Sequence, residues 1–190
     1  MEKFNHGHME EVGYETYCEL LQEAMKEIRG EKIEKQKEIK IDLDVTAFIP
    51  NSYIPNSSQK IEIYQTIALV NSEEDIRNVI DELIDRYSVI PKEVENLIKI
   101  ARIKYLGKDL DIVRIHQRTN HVLFYLDQED FAFNTIPQIA NKYNDKIHIL
   151  NSTDYVIKYK LDSTDEENVI KEVKEFLEDI ISIRRRSNNG

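Results

Sequence analysis

Few side chains in this sequence are placed to do chemistry. His6, His8 and Glu10 stand close together and offer two imidazoles and a carboxylate. A metal centre needs three or four convergent ligands, so no metal is expected there. Cys18, the single cysteine, falls on the apolar side of a helical pattern and reads as a small buried hydrophobe rather than a nucleophile. It allows no intramolecular disulfide, and nothing points to an oxidising compartment. His116, His121 and His148 lie in stretches that read as strands. They are expected to be solvated on a strand face, the alternative being a meeting across the sheet. Arg184, Arg185 and Arg186 form either a phosphate patch or the cationic complement of a helix C-terminus, and the second reading suffices. Tyr125, Phe131 and Phe133 are able to stack bases, but without a surrounding basic groove they are assigned to core and cover. Glycine-rich phosphate loops, HExxH, CxxC and GxSxG are absent, and five glycines leave little from which to build a phosphate cradle. No catalytic residue, metal or cofactor is therefore expected.

One acidic group resists a bland reading. Asp81, Glu82 and Asp85 stand near the C-terminal end of a strongly periodic helix, where a carboxylate opposes the helix dipole. Glu82 and Asp85 are three apart and project from one face. Arg86 offsets part of their charge. The group is either a solvated acidic face or a surface kept acidic for a basic partner.

These residues must be positioned by a chain of 190 residues, 41% of them hydrophobic, enough for one globular domain with an added arm. A formal net charge of -10 argues against broad, sequence-independent binding to a phosphate backbone and suits a basic partner. No apolar run approaches the roughly 20 residues of a membrane helix, and the start, MEKFNHGHMEEVGY, lacks the pattern of a signal peptide. A cytoplasmic protein is expected, with no membrane partner.

Residues 1–40 read as an arm and linker. Val12, Tyr17, Leu20, Leu21, Ala24, Met25 and Ile28 fall at helical spacing ahead of Gly30, and a polar stretch of mixed charge follows. The alternation in 41–45 predicts a strand with one wet face. The phrase IPNS then occurs twice, at 49–52 and 54–57. The first copy predicts a turn and the second a helix start, with Asn56 as cap, Gln59 reaching back, and Ile61, Tyr64, Ile67 and Ala68 inward. A second helix opens at Ser72 with three acids and the stripe Ile76, Val79, Ile80, Leu83, Ile84 and Tyr87. A third starts at Pro91, buries Val94, Leu97, Ile98, Ala101 and Leu106, and ends at Gly107. The period then changes: strands over 111–116 and 121–126, a helix over 135–143, strands over 146–150 and 155–159, and a last helix capped by Ser163 or Thr164. The fold class is α+β: a helical N-terminal part, then β-β-α-β-β-α with an antiparallel sheet packed against helices.

The stretches VGYETYCELLQEA, IDLDVTAFIPNSYIPNSSQKIEIYQTIA and SEEDI…ELIDRYSVIPKEVENLIKIARIK closely resemble the C-terminal (TRCF) domain of bacterial transcription-repair coupling factors. Order and spacing match from about residue 6 to 115. The departures are Ser88, where the family usually has Gly, and Asn51 and Asn56, where Asp is common. The resemblance implies a non-catalytic regulatory lid, residues 41–190, carried by an ATP-dependent DNA translocase that removes stalled RNA polymerase and recruits UvrA. The lid packs on an N-terminal UvrB-like module in cis and masks the surface used for UvrA. Glu82 and Asp85 fall inside the ELIDR match, which implies that they face arginines of that module, with Leu83 and Ile84 turned to the core. The other reading is an accessory nucleic-acid-binding module supporting the motor's grip on DNA, which the net charge disfavours.

Overall fold

Both isoleucines of the repeated phrase are core residues: Ile49 and Ile54 are fully buried. Around the first copy the chain turns, the Pro50 carbonyl accepting from the Tyr53 and Ile54 amides at 3.0 and 3.1 Å. In the second copy Asn56 caps α1 (Ser57–Ala68), its side chain accepting from the Gln59 amide at 3.0 Å. The structure is a computed structural model and describes residues 38–127, 129–151 and 155–189. The expected helix ahead of Gly30, with His6, His8, Glu10 and Cys18, lies outside the described residues, as do the side chains of Phe131 and Phe133.

The described chain forms two compact units, residues 46–102 and residues 38–45 with 103–189. The first is helical. It holds α1, α2 (Glu73–Tyr87) and most of α3 (Lys92–Lys108). In α1 the inward face is Ile63, Tyr64 and Ile67 rather than one led by Ile61, because the Tyr64 hydroxyl is drawn inward to accept from the Ile49 amide at 2.8 Å. Asn51, the turn residue of the first IPNS copy, accepts from the buried Lys60 of α1. The repeated phrase thus serves two different local jobs. Helix α2 is capped at Ser72, whose hydroxyl accepts from the Asp75 amide at 3.1 Å, while the Asp75 carboxylate accepts from the Asn71 amide at 3.0 Å. That is a reciprocal arrangement of the capping-box kind. Helix α3 buries Val94, Leu97, Ile98 and Ala101, and Pro91 stands just before it with its carbonyl taking the Val94 and Glu95 amides.

Gly107 does not end α3, which runs to Lys108. A Cβ at position 107 would stand 3.0 Å from Ile39 Cδ1, so the glycine permits close packing, and Asp111 supplies the positive φ of 56° at the turn.

The second unit is a five-stranded sheet in the order β1-β2-β3-β5-β4, with β1 Lys40–Asp42, β2 Ile112–Arg118, β3 His121–Leu126, β4 Ile147–Asn151 and β5 Tyr155–Lys160. Strand β1 runs parallel to β2 and every other pairing is antiparallel. The α+β class holds, with a mixed rather than wholly antiparallel sheet. The β2–β3 hairpin closes on the pair Arg118 and His121 around Thr119, at φ 52°, the left-handed conformation that two-residue hairpin turns require. Helix α4 (Glu129–Tyr143) begins earlier than the periodicity predicts and carries Pro137 inside it. Helix α5 (Glu166–Asn188) starts from Asp165, whose side chain makes no cap bond, so neither Ser163 nor Thr164 is the N-cap. One face of the sheet, carrying Ile115, Val122, Phe124, Ile157 and Tyr159, shares a core with Val173, Phe176 and Leu177 of α5. Phe176 is its centre: its ring lies 4.8 Å from Phe124 and 5.1 Å from both Tyr143 and Tyr159. Offset and edge-on aromatic contacts at such spacing add to the burial of these rings.

Candidate protein-interaction site

Helix α2 turns Ile76, Val79 and Leu83 inward. A helix that buries positions 76, 79 and 83 presents 81, 82 and 85 elsewhere, and the structure places the acids accordingly. Asp81 and Asp85 are exposed and Glu82 is half-buried. Glu82 already has a partner, its Oε1 accepting from Arg86 Nη1 at 2.8 Å, and Arg86 also lies 3.5 Å from Glu62 of α1. The Glu82 carboxylate in turn holds the Arg86 guanidinium above its ordinary range. Asp85 has no hydrogen bond or ion pair among the described residues. The two acids are therefore not equivalent: one is committed to its own helix and the other is free.

Ile84 does not face the core as expected. It is 51% exposed, while Leu83 is fully buried. The apolar stripe of α2 is wider than its neighbours cover, and the surplus lines a groove of about 670 Å³ between α2 and α3. Ile80, Ile84, Val89, Ile90 and Ile98 form its apolar wall, and Glu95, Lys99 and Arg102 stand among its lining residues. Val89 is 84% exposed. Arg102 is held by Glu73 through contacts of 2.8 and 3.2 Å. Sequence reasoning missed Ile84 and Val89 as surface residues. The available signal was the doubled apolar positions 79/80 and 83/84, more than one buried face needs.

The turn after α2 is unusual. Ser88 has φ 82° and ψ -154°, a region that L side chains rarely occupy. Tyr53 braces it, its hydroxyl 3.3 Å from both the Ser88 and Leu83 carbonyls. Burial, then the neighbouring Tyr87, raises the Tyr53 phenol above its usual range.

The other candidates resolve differently. Arg184 donates to the Asp109 carbonyl at 3.1 Å and lies 3.3 Å from Asp111, so it ties the end of α5 to the turn before β2. His116, His121 and His148 stand on one sheet face, but only His148 is exposed, and His116 and His121 are half-buried rather than solvated. His116 Nδ1 lies 3.0 Å from Asp42, without hydrogen-bond alignment. Among the described residues no group of three or more His, Cys, Asp or Glu is placed to hold a metal, and no helix is long and apolar enough to cross a membrane. The sequence also gave no warning of Glu172, a buried carboxylate accepting from Lys146 at 2.8 Å, the Tyr159 hydroxyl at 2.9 Å and the Asp162 amide at 3.0 Å.

The sequence profile of the TRCF domain matches residues 43–134. The chain is 40% identical over 104 residues to the transcription-repair-coupling factor of Staphylococcus haemolyticus, covering 54% of this chain and 9% of that protein. It is 34% identical over 128 residues to that of Bacillus subtilis, covering 67% of this chain and 11% of that protein. The chain thus spans about a tenth of the length of these curated relatives. Its fold is similar to the crystal structure of a C-terminal domain of transcription-repair coupling factor, with a TM-score of 0.69 at 21% identity over 78% of this chain and 95% of that one. Residues 43–134, which carry the acidic helix α2 and its groove, match the TRCF domain of transcription-repair coupling factors in sequence, and the fold around them is that of such a C-terminal domain.

Proposed function

We propose that this chain is a non-catalytic regulatory lid. It docks on an N-terminal UvrB-like module of the same protein through α2 and masks that module's UvrA-binding surface. Residues 41–190 act as the lid and residues 1–40 as the arm leading from the motor. The full-length protein is then an ATP-dependent DNA translocase that clears stalled RNA polymerase and recruits excision repair in the cytoplasm. The observation that carries this reading is the pairing of an exposed carboxylate without a partner among the described residues, Asp85, with exposed Ile84 and Val89 beside an apolar groove. An apolar anchor flanked by a charge suits a protein interface better than a solvated helix face. A carboxylate desolvated against an arginine there contributes enough that losing it costs on the order of 2–5 kcal/mol. The test is a titration of this chain against the matching N-terminal module, wild type against Asp85→Ala and Ile84→Ser. Binding lost in both variants supports the lid. Saturable binding that neither change weakens would move the contact elsewhere, and no binding at all would remove the reading.

A further inference from the structure

The formal net charge of -10 conceals a basic face. The strand register places Lys40, Arg114, Tyr125, Val156 and Leu150 in one row across the sheet, through the pairs of neighbouring strands. Asp42, His116, Leu123, Lys158 and His148 form the next row, and Arg118, His121 and Lys160 a third. Cross-strand partners share a face and alternate residues along a strand keep it. All these side chains therefore stand opposite the face that carries Val122, Phe124, Ile157 and Tyr159 in the core. Five lysines and arginines meet one carboxylate, Asp42, itself beside His116.

Elsewhere several cations are paired: Arg86 with Glu82, Arg102 with Glu73, Lys146 with Glu172 and Arg184 with Asp111. On this face Lys40, Arg114, Arg118, Lys158 and Lys160 form no ion pair among the described residues. Lys40, Arg114, Arg118 and Lys160 are exposed. The local potential reaches His121, which burial and then Lys158, Lys160 and His148 hold below its ordinary range.

We infer that this outer sheet face is a binding platform for the backbone of single-stranded nucleic acid. Lys40 and Arg114 are neighbours across β1 and β2, about 4.8 Å apart, Lys158 and Lys160 lie about 6.7 Å apart along β5, and Arg118 and Lys160 flank His121 about 9.6 Å apart, an open array that a flexible polyanion can follow. Of the apolar side chains in these rows, Leu123 and Val156 are buried to 7% and 5% exposure and Leu150, on the edge strand β4, is 43% exposed, so apolar relief for the side chains of an acidic polypeptide is confined to one edge. It offers a flat aromatic surface instead: Tyr125, with the Arg114 guanidinium 5.4 Å above its ring, the pairing on which bases stack. A rigid duplex meets a flat sheet along a narrow line and brings a denser charge against an acidic protein, whereas a single strand can spread over the rows. The inference does not depend on the lid reading, which rests on α2.

The experiment is fluorescence anisotropy of the 190-residue chain with a labelled oligo(dT) of about 15 nucleotides, from about 50 to 200 mM salt. Saturable binding is expected at the low end, with a log-log salt slope of about -3.5 if all five cations meet phosphates. Arg118→Glu with Lys160→Glu should weaken binding at least tenfold. The neutral pair Arg118→Gln with Lys160→Gln, which keeps the strands free of new charge, should lower the slope by about 1.4, with the far-ultraviolet circular dichroism unchanged. Absence of saturable binding, or binding undiminished in the folded neutral variant, would overturn the inference. So would equally tight binding of poly-L-glutamate of matched charge, which would assign the face to acidic polypeptides.

Discussion

Arg86 donates to Glu82 one helical turn earlier, at 2.8 Å, and so leaves Asp85 as the carboxylate of the ELIDR stretch without a partner among the described residues. The i, i+4 spacing with Glu on the N-terminal side favours this pair, which is why Arg86 takes Glu82 rather than Asp85. Asp85→Ala should leave the melting temperature of the chain unchanged or slightly raised, since it removes a negative charge from a helix C-terminus. Glu82→Ala should lower it slightly by freeing Arg86. The two melts, read beside the binding titration, separate docking from folding: a large loss of stability in Asp85→Ala would make that residue structural.

Ser88→Gly should stabilise the chain. The backbone at this position, φ 82° and ψ -154°, costs a non-glycine residue of order 1–3 kcal/mol, and glycine returns part of that in unfolded-state entropy, about 0.5–1 kcal/mol. A net gain of about 1 kcal/mol in a denaturant titration is expected. An unchanged or lower midpoint would show that the Ser88 side chain compensates the strain.

Glu172→Ala should be among the most damaging single changes in the second unit. It strands the Tyr159 hydroxyl and the Asp162 amide and removes the anion facing Lys146. Burial alone would lower the Lys146 pKa, yet its bonds to Glu172, Tyr159 and Asp162 outweigh that and raise it. Breaking a buried pair from one side costs roughly 3–5 kcal/mol. Glu172→Gln, which keeps the shape and some acceptors, should cost less. A loss below about 1 kcal/mol for alanine would mean that water replaces the carboxylate.

Stability should fall at alkaline pH through the tyrosines of the same core. Burial first, and then its bond to Asp179, raise the Tyr143 phenol. Burial and Glu172, opposed by Lys146, push Tyr159 up to about 12. A phenol whose folded pKa lies above its unfolded value of about 10 contributes in full below that pH, and the contribution drains away as pH rises toward the folded pKa. Ultraviolet titration should show part of the tyrosine population ionising late, together with unfolding. Tyr143→Phe should flatten the alkaline loss of melting temperature, and an unaltered loss in that variant would place the effect elsewhere.

How much of this was legible in advance differs by kind of feature. Helices α2 and α3, the strand over His121–Leu126 and the stripe of α5 follow from local rules, because period, caps and turn residues act over a few positions and the sequence states them outright. The Ser72 cap and the start of α3 just after Pro91 needed no partner to be recognised. The family resemblance, too, was carried by such local phrases, from the doubled IPNS to the ELIDR stretch. What required the tertiary structure was every decision about neighbours. The parallel pairing of Lys40, Ile41 and Asp42 with Arg114, Ile115 and His116 joins segments far apart in the chain, and alternation within a strand does not say which strand lies beside it. Ile84 and Leu83 are adjacent and equally apolar, and only the packing around α2 exposes one and buries the other. Glu172 reads as an ordinary helix-surface acid until Lys146, Tyr159 and the Asp162 amide converge on it. Net charge is a sum, and a sum carries no positions. Five separate cations on three strands become a surface only when the strand order places Lys40, Arg114, Arg118, Lys158 and Lys160 on one face, since side-chain direction is set by local alternation and adjacency by long-range hydrogen bonding.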